Sequence, residues 1–512
     1  MSEFQNSKLT MDLAFILPSS VICLLIYLYL VKNYNHWHKQ NVPHERYPVP
    51  GFGHILPLFT LRHHMGTLVQ KFHLAMGKSS MYGCYVMRTP AIVLRDPNLI
   101  KNVLQSNFSS FCNNLLSVHE HEDPILSKNP FFAKDDLWME SRVLLSKNFS
   151  GKRLKCMLVV VSRVCDRMMK HINKFRKDDG GAEFELKDLF SKVSAEVIAN
   201  SAFGMEGHSF ENQPGTYSIV NIAKDIFDPS IVRYIHQLIL YFLPKVAKIM
   251  RIGIVPKETS DFIKNHIKNF ATTRLQSGEV SGDYLQFSME DLSVTDEDML
   301  IAKATSILFD GYETTSSVLG FMIYRLSENV KVQDRAREEV MSVLRRFDNR
   351  LTYEAVNNLD YLERVMMETM RLHPVFGDII KICNSEITLE GYDKLSCQLR
   401  PKDIVIISTM GMHMDEEFWS NPTEFEPDRF DPKNLSKWHK YTFLGFGTGP
   451  RVCPGKRMGT MIVKAITAVL LKNYTLRKSP RMKGPLRLNT STFAAVVDDG
   501  LWVNFEMIKS HD

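Results

Sequence analysis

The sequence predicts a mostly α-helical domain with a small β-rich part, preceded by one N-terminal transmembrane helix. Three observations support this fold class. Residues 13–31 carry no charged side chain. The stretch between Pro256 and Pro374 contains no proline and is rich in Leu, Met, Glu, Lys and Arg at helical spacing. Short runs rich in Tyr and Val precede that stretch, and prolines, glycines and short apolar runs follow it.

The N-terminal apolar segment is long enough to span a bilayer. Nineteen helical residues at about 1.5 Å each reach roughly 28 Å, close to the thickness of the hydrocarbon core. A cleaved signal peptide is the alternative, but its apolar core is normally shorter and is followed by small residues. Lys32, Lys39 and Arg46 follow the segment, so the positive-inside rule predicts a cytosolic main domain. An interfacial aromatic belt is expected from Tyr27, Tyr29, Tyr34 and Trp37.

The chain divides into an anchor, a linker and one large domain. The linker carries basic residues, four prolines and two glycines, which favour a stiff, extended chain. No internal repeat and no break in composition marks a further domain boundary. The predicted parts are a membrane anchor over 1–31, a basic and proline-rich linker over 32–57, and a main domain over 58–512.

Several segments of the main domain have patterns of their own. Residues 81–95 predict two short strands broken at Thr89–Pro90, and residues 486–507 predict a terminal hairpin with its turn at Asp499–Gly500. Residues 232–248 are apolar but interrupted by polar side chains, and they are too short to span a membrane. A buried helix and a helix that touches the membrane surface explain this last segment equally well.

Composition excludes some classes of protein. The chain of 512 residues has 63 basic and 57 acidic residues, a net charge of +6 that does not call for a nucleic acid partner. It is compatible with anionic lipid or an acidic protein. The eight cysteines contain no C-x-x-C pair, so common structural zinc patterns are absent. Scattered cysteines are typical of a reducing compartment.

The strongest local pattern is the glycine-rich loop around Cys453. Residues 443–459 hold five glycines, and Arg451 stands two residues before the cysteine. Glycines let the backbone approach a flat ligand closely, and backbone N–H groups can then hold a thiolate. A helical pattern follows the loop and also favours a negative sulfur. For a lone cysteine, a core residue in a glycine-rich turn would be the better interpretation.

A second pattern lies in a helix predicted from about Asp296 to Ser327, with a capping box at Thr295 and Asp298. Its centre, residues 310–315, contains a glycine and two threonines, which are poor residues for a helix interior. A threonine hydroxyl can compete for backbone carbonyls and loosen the turn. Taken alone, the segment is better explained as an ordinary buried helix with a polar patch.

Together these patterns resemble the cytochrome P450 superfamily. The loop Phe446-x-x-Gly449-x-Arg451-x-Cys453-x-Gly455 is similar to its haem-binding signature at every defining position. Residues 310–315 resemble its oxygen-activation motif, although Asp310 stands where the family usually has alanine or glycine. Further family elements appear in the expected order, and the details look most like insect microsomal members. These elements are Trp138-x-x-x-Arg142, Glu368-x-x-Arg371 and Phe425-x-Pro427-x-Arg429-Phe430.

The resemblance implies roles for individual residues. Haem b is expected as the cofactor, with Cys453 as the thiolate ligand of its iron. Glu313 and Thr314 are expected to relay protons to bound oxygen. The remaining expected haem contacts are Trp138, Arg142, Phe446, Gly449, Arg451 and Gly455, with Arg142 and Arg451 on the haem propionates. A structural cluster is expected from Glu368, Arg371 and Arg429.

The resemblance also implies an activity. It predicts a haem-thiolate monooxygenase at the endoplasmic reticulum membrane, with its catalytic domain on the cytosolic side. Electrons would come from NADPH through cytochrome P450 reductase, with cytochrome b5 as a second donor. The substrates would be apolar small molecules, such as hormone-like lipids or xenobiotics including insecticides. A haem-thiolate peroxide isomerase or dehydratase, and a non-catalytic haem sensor or lipid carrier, stay open as alternatives.

Two positions give more specific hypotheses. Pro454 has no N–H, so one donor to the sulfur is missing, and the thiolate is expected to be more electron-rich, with a lower iron potential. Asp310 affects substrate polarity if it faces the pocket, and has no such effect if it turns away. By family analogy the pocket walls are expected near residues 112–126, 304–315, 375–381 and 492–494.

Overall fold

The computed structural model describes residues 2–146, 149–177, 180–211, 219–278, 283–290 and 297–508, with side chains from residue 17 onward except at 144, 297 and 298. The fold is mostly helical, with three small sheets. The α-helices are α1 Ser2–Val31, α2 His36–Lys39, α3 Leu56–Phe59, α4 Met65–Ala75, α5 Pro97–Lys101, α6 Asp135–Ser146, α7 Gly151–Lys174, α8 Leu186–Phe203, α9 Ile219–Phe227, α10 Ile231–Phe242, α11 Pro244–Met250, α12 Lys257–Ser277, α13 Tyr284–Met289, α14 Glu297–Glu328, α15 Val330–Arg346, α16 Tyr353–Asn357, α17 Asp360–Leu372, α18 Thr409–Met414 and α19 Lys456–Asn473.

The strands form sheets of four, three and two members. The four-stranded sheet has the order β1-β2-β7-β4, and only its β2–β7 pair is parallel. The second sheet has the order β3-β9-β8, and β5 pairs with β6. The strands are β1 Met81–Val86, β2 Thr89–Leu94, β3 Gly181–Glu185, β4 Asp378–Ile382, β5 Ile387–Glu390, β6 Ser396–Leu399, β7 Ile404–Ser408, β8 Tyr474–Lys478 and β9 Trp502–Met507.

The four-stranded sheet is buried on both faces. Ile92 and Val405 belong to one apolar cluster, and their strand neighbours Val93 and Ile406 belong to another on the opposite face. This alternation follows from the two-residue period of a strand. The strands therefore read as continuous apolar runs rather than as alternating apolar and polar residues.

The helical core surrounds α14. This helix packs along α8 over much of its length and also contacts α17 and α19. Its residues Leu308, Leu319 and Met322 belong to the largest apolar cluster of the molecule. The proline-free stretch is helical from α12 to α17 in the described residues, which confirms the prediction. The bounds of α14 agree with the predicted helix, and the capping box at its start lies outside the described residues.

The N-terminal helix α1 covers the predicted anchor, and its described apolar side chains from Leu17 to Tyr29 are largely exposed. Among the described residues, no helix has the length and apolar character needed to cross a membrane. The proposed place of Trp37 in an aromatic belt is wrong. Its side chain is fully buried and its Nε1 donates to the Cys84 carbonyl at 2.8 Å, so residues of the predicted linker pack against β1.

Two details of the strand predictions need correction. The break between β1 and β2 lies at Met87–Arg88, and Thr89–Pro90 begins β2. Pro90 is tolerated there because the pairing of β2 with β7 starts one residue later, at Ala91. The terminal hairpin is wrong as well: β9 pairs with β3 and β8, whereas Leu488 and Val497 form only an isolated bridge. Pairing of β9 with strands distant in sequence replaces the local hairpin that the turn predicted.

Candidate functional site

The loop that carries Cys453 is shaped by glycines. Gly447 and Gly449 have φ angles of 65° and 73°, which side chains rarely allow. A Cβ atom at Gly449 would lie 1.8 Å from the Leu104 carbonyl oxygen, so no side chain fits there. The Cys453 N–H donates to the Phe446 carbonyl at 2.9 Å and closes the loop. The glycines thus allow the chain to double back just before α19.

The sulfur of Cys453 lies in the interior, and burial raises the pKa of its thiol. The backbone N–H groups of Gly455 and Lys456 and the charge of Arg142 lower that pKa, because each favours a negative sulfur. A Cβ atom at Gly455 would lie 3.9 Å from Sγ, so this glycine leaves the sulfur open on that side. Pro454, which stands between Cys453 and Gly455, has no N–H and donates no hydrogen bond to the sulfur.

Behind the loop lies a fully connected ion cluster. Glu368 and Arg371 on α17 are completely buried and form two hydrogen bonds, from Nε to Oε2 at 2.7 Å and from Nη2 to Oε1 at 2.8 Å. Arg429 donates from its Nε to Oε1 of Glu368 at 3.3 Å. Other donors of the two arginines reach backbone carbonyls, including those of His413 and Asn421, and Arg429 also pairs with the exposed carboxylate of Glu426 at 3.0 Å. The three residues that the sequence grouped therefore meet in space.

His413 on α18 connects this cluster to the cysteine loop, and the sequence reasoning missed it. Its Nδ1 donates to the Arg371 carbonyl at 3.0 Å, and its Nε2 accepts the Leu444 N–H at 2.8 Å. These partners fix one neutral tautomer. Burial lowers the pKa of His413 to about 3. Its ring stacks on Phe443 at 5.3 Å. A histidine in a run of methionines and small residues gives no sequence signal for this role.

Arg451 contacts Trp138 and also binds backbone carbonyls, so its contacts go beyond the expected haem propionate. The Arg451 guanidinium donates to three backbone carbonyls, those of Cys112, Pro130 at 2.8 Å and Ala133 at 2.9 Å. It lies 4.6 Å from the centre of the Trp138 ring, a cation–π contact. Arg451 therefore holds the loop after residue 112 against the cysteine loop, whatever else it binds.

A cationic cluster surrounds this contact. Burial lowers the pKa of Arg142, that of Arg451 to about 10, and that of Lys381 to about 7. The charge of Arg142 acts on Arg451 and that of Arg451 on Lys381, while the carboxylate of Asp135 also acts on Arg451. Within the described part of the chain, none of them forms an ion pair with a carboxylate. Lys381 was missed, although a lysine within an apolar strand is a detectable signal; its Nζ donates to Asn114 at 2.8 Å.

These groups fit a haem. Buried cations without a counter-ion are costly, and the two propionate carboxylates of a haem would act as their counter-ions. The interior sulfur of Cys453, with N–H donors and a cation beside it, is a suitable thiolate ligand for iron. Arg142 links the two groups, because its charge acts on both Cys453 and Arg451.

Asp310 of α14 lies within electrostatic range of Cys453. The carboxyl of Asp310 lies close enough to Cys453 to raise the pKa of the thiol. Thr314, one turn later on the same face, donates from its hydroxyl to the Asp310 carbonyl at 2.6 Å. This is the backbone contact by which threonine loosens a helix. The carboxylate of Asp310 is directed to Asn129, whose Nδ2 lies 3.3 and 3.2 Å from its two oxygens.

Glu313 is placed differently from Thr314. Its carboxylate is buried and forms an ion pair with Lys187 of α8, from Oε1 to Nζ at 2.6 Å. Among the described residues its Oε2 has no hydrogen-bond partner. Ser317 donates to Oε1 at 3.4 Å. The two predicted relay residues are neighbours in the chain, but Glu313 faces α8 while Thr314 lies on the face of Asp310.

Comparisons with known proteins agree with this geometry. The sequence model of the family described as "Cytochrome P450" matches residues 43–499. Cytochrome P450 9e2 of Blattella germanica is 29% identical, with 95% of this chain and 96% of the relative covered. Cytochrome P450 6l1 of the same insect is 28% identical, with 91% of each covered. Cytochrome P450 3A28 of Bos taurus is 30% identical, with 94% and 93% covered.

The chain belongs to the cytochrome P450 family. It is a haem-dependent monooxygenase, an oxidoreductase that uses a thiolate-ligated iron, redox partners and small-molecule substrates. Its similarity to insect members matches the expectation from the sequence.

Proposed function

We propose that this enzyme inserts one atom of O2 into apolar small molecules, with electrons from NADPH delivered by cytochrome P450 reductase and with cytochrome b5 as a second donor. The observation that carries this proposal is the interior thiol of Cys453, held in a glycine-shaped loop with the N–H groups of Gly455 and Lys456 at its sulfur. Haem with a thiolate ligand supplies oxygen activation when bound. Hormone-like lipids and xenobiotics such as insecticides are the proposed substrates.

The residues divide the work. Cys453 holds the iron, and the N–H groups of Gly455 and Lys456 stabilise its negative sulfur. The haem contacts also include Phe446 and Gly449 of the same loop. Among the cations, Arg142 and Lys381 hold the propionates, and Arg451 joins them while it braces the loop through backbone carbonyls.

Protons reach the site through α14. The Thr314 hydroxyl donates to the Asp310 carbonyl at the reacting face of the helix. The carboxylate of Glu313 lies between that turn and Lys187, with which it forms an ion pair. Lys187 is 30% exposed, so the pair connects the interior to solvent. The unpartnered Oε2 of Glu313 leaves an acceptor for a proton or a water. Rotation of this side chain would transfer a proton from the solvent side toward Thr314.

The cellular place follows from the N-terminal segment. We include in the proposal an anchor in the endoplasmic reticulum membrane, with the catalytic domain on its cytosolic side. The uncharged residues 13–31, the exposed apolar side chains from Leu17 to Tyr29 and the basic residues that follow support it. Ile231, Val232 and Ile235 of α10 are also exposed, which favours contact between this helix and lipid.

The test is oxygen incorporation. The full chain is reconstituted with cytochrome P450 reductase in lipid nanodiscs and supplied with NADPH, ¹⁸O2 and a panel of apolar substrates. The proposal predicts products that contain one ¹⁸O atom and require both NADPH and reductase. Products formed from a peroxide without NADPH would indicate an isomerase or dehydratase instead. Ligand binding without NADPH consumption for any substrate would indicate a sensor or carrier.

A further inference from the structure

Asp310 is an acidic residue at the reacting face of α14. The pKa of its carboxyl is raised to about 7 because the group lies deep in the protein. The residue is only partly buried. Its charge acts on Cys453, and Thr314 lies one turn later on the same face of α14.

The carboxylate is held in place but is poorly satisfied. The Nδ2 atom of Asn129 lies 3.3 Å from one carboxylate oxygen and 3.2 Å from the other, so both share one donor at long distance. The same Nδ2 also donates to Ser306 at 3.1 Å. Asn129 cannot turn away, because its Oδ1 accepts the Phe131 N–H at 2.7 Å. Two carboxylate oxygens accept about four hydrogen bonds, so Asp310 keeps free acceptor capacity.

Within the described residues, no lysine, arginine or histidine forms an ion pair with Asp310. The nearest acid on the helix, Glu313, has its own cation in Lys187 on the other side. With a pKa of about 7, this carboxyl is partly protonated at neutral pH. A ligand that carries positive charge would favour its ionised form and pair with it.

A second carboxyl has the same character. Asp378, at the start of β4, is deep but partly accessible, and burial raises its pKa to about 7. It forms no ion pair with any described residue. Its charge acts on Tyr241, which stacks on Phe493 at 4.7 Å. Aromatic faces beside a carboxylate are the groups that bind ammonium ions, since both attract positive charge.

We propose that the substrates of this enzyme carry a cationic nitrogen, which Asp310 holds beside the reacting centre. The ligand class is an apolar molecule with a protonated or quaternary ammonium group. Asp378 and the aromatic rings near it form a second negative region of the same class. The inference rests on the proposed function, because it assigns a substrate class to the monooxygenase site. Among proteins with a small residue at this position, the same cavity would have no anion there.

Two probes separate charge from shape. Benzyltrimethylammonium and neopentylbenzene differ only in that a cationic nitrogen replaces a carbon atom. The quaternary nitrogen has no lone pair, so it cannot bind iron directly. Binding of each is measured by equilibrium dialysis on the haem-loaded full chain in nanodiscs, and the affinity ratio of cation to neutral probe is the readout. The variant Asp310→Asn keeps the shape and removes the charge.

The expected result is that wild type binds benzyltrimethylammonium and that Asp310→Asn lowers the affinity ratio at least tenfold. Asp348→Asn, which removes an exposed acid elsewhere, is expected to leave the ratio unchanged. The inference is overturned if wild type does not bind the cation, or if the ratio in Asp310→Asn stays within twofold of wild type. A large loss in Asp378→Asn but not in Asp310→Asn would overturn the assignment to Asp310.

The two proposals fail separately. A carbon monoxide spectrum of each variant first verifies that the haem site is intact. Charge-dependent binding without ¹⁸O incorporation would reject the oxygenase role but keep the cation site. Incorporation of ¹⁸O into neutral substrates only, with no charge-dependent binding, would reject the cation site and keep the oxygenase role.

Discussion

The two sides of the candidate haem site differ in how completely their polar groups are satisfied. On the cysteine side, the loop at 443–459 rests on His413 and the Glu368–Arg371–Arg429 cluster, where carboxylate and guanidinium groups have several short partners each. On the oxygen side, Asp310 shares one distant amide, and Oε2 of Glu313 has no partner in the described residues. One side is closed by hydrogen bonds, and the other keeps acceptors free.

This difference indicates which side of the site is held rigid and which side keeps groups free to react. A satisfied buried network fixes its members in one arrangement, which suits a metal ligand that must stay in place. Free acceptors in a buried region are costly unless a ligand, a proton or a water uses them. We therefore assign iron ligation to the cysteine side, and the proposed binding of substrate to the oxygen side.

The largest expected effect comes from removing the central charge of the cysteine side. Glu368→Gln leaves two buried guanidinium groups without their carboxylate and is expected to lower the free energy of unfolding by roughly 3–5 kcal/mol. Urea unfolding measures the loss. The control is Glu426→Gln, since Glu426 is the exposed partner of Arg429 and is expected to matter by less than about 1 kcal/mol. Equal losses in both variants would refute the distinction.

A second effect is a pH dependence from His413. Burial lowers its pKa to about 3. Between about pH 6.5 and that value, the imidazole therefore binds a proton in the unfolded chain but not in the folded protein. His413 therefore causes stability to fall as pH drops from about 6.5 toward about 3, by up to roughly 1.4 kcal/mol per pH unit, and has no such effect above that window.

The variant His413→Gln removes this titration and is expected to flatten the curve of unfolding free energy against pH between pH 6 and pH 4. Urea titrations at several pH values give that curve. His121→Gln, at an exposed histidine, is the control and is expected to keep the slope of wild type. If the slope of His413→Gln also matched wild type, the histidine would not be buried and neutral in solution.

On the oxygen side, Thr314→Val tests the proposed relay. Loss of the hydroxyl is expected to leave NADPH consumption unchanged, while product formed per NADPH falls roughly tenfold and hydrogen peroxide production rises. The reason is that Thr314 would no longer pass protons to the reacting oxygen at the right stage. Thr305→Val is a matched control, since its hydroxyl makes the same contact, to the Ile301 carbonyl at 2.8 Å. Similar uncoupling in both variants would indicate a general effect on the helix instead.

Sequence reasoning succeeded where the residues of a site are contiguous. The cysteine loop and the grouping of Glu368, Arg371 and Arg429 follow motifs of fixed spacing. It failed for His413 and Lys381, because their partners are backbone atoms or side chains from distant segments. The orientation of Asp310 depends on the rotation of α14 against its neighbours, which spacing alone does not set. The terminal hairpin failed because β9 pairs with β3, about 320 residues earlier.

The smallest expected effect concerns the one donor missing on the cysteine side. Pro454→Ala would add an N–H near the sulfur, withdraw electron density and stabilise the reduced iron. A hydrogen bond of about 0.5–1.5 kcal/mol corresponds to a rise of roughly 20 to 65 mV in the one-electron potential. Redox titration of the two proteins measures it. An unchanged potential would show that the new N–H does not reach the sulfur.

The central claim is that Cys453 ligates the haem iron through its thiolate. The most direct measurement is the carbon monoxide difference spectrum of the reduced full chain in membranes, recorded beside that of Cys453→Ser. We predict a strongly red-shifted Soret band in wild type that is absent from the variant. A wild-type protein that is folded but shows no such band, or a variant with the same band, would contradict the claim.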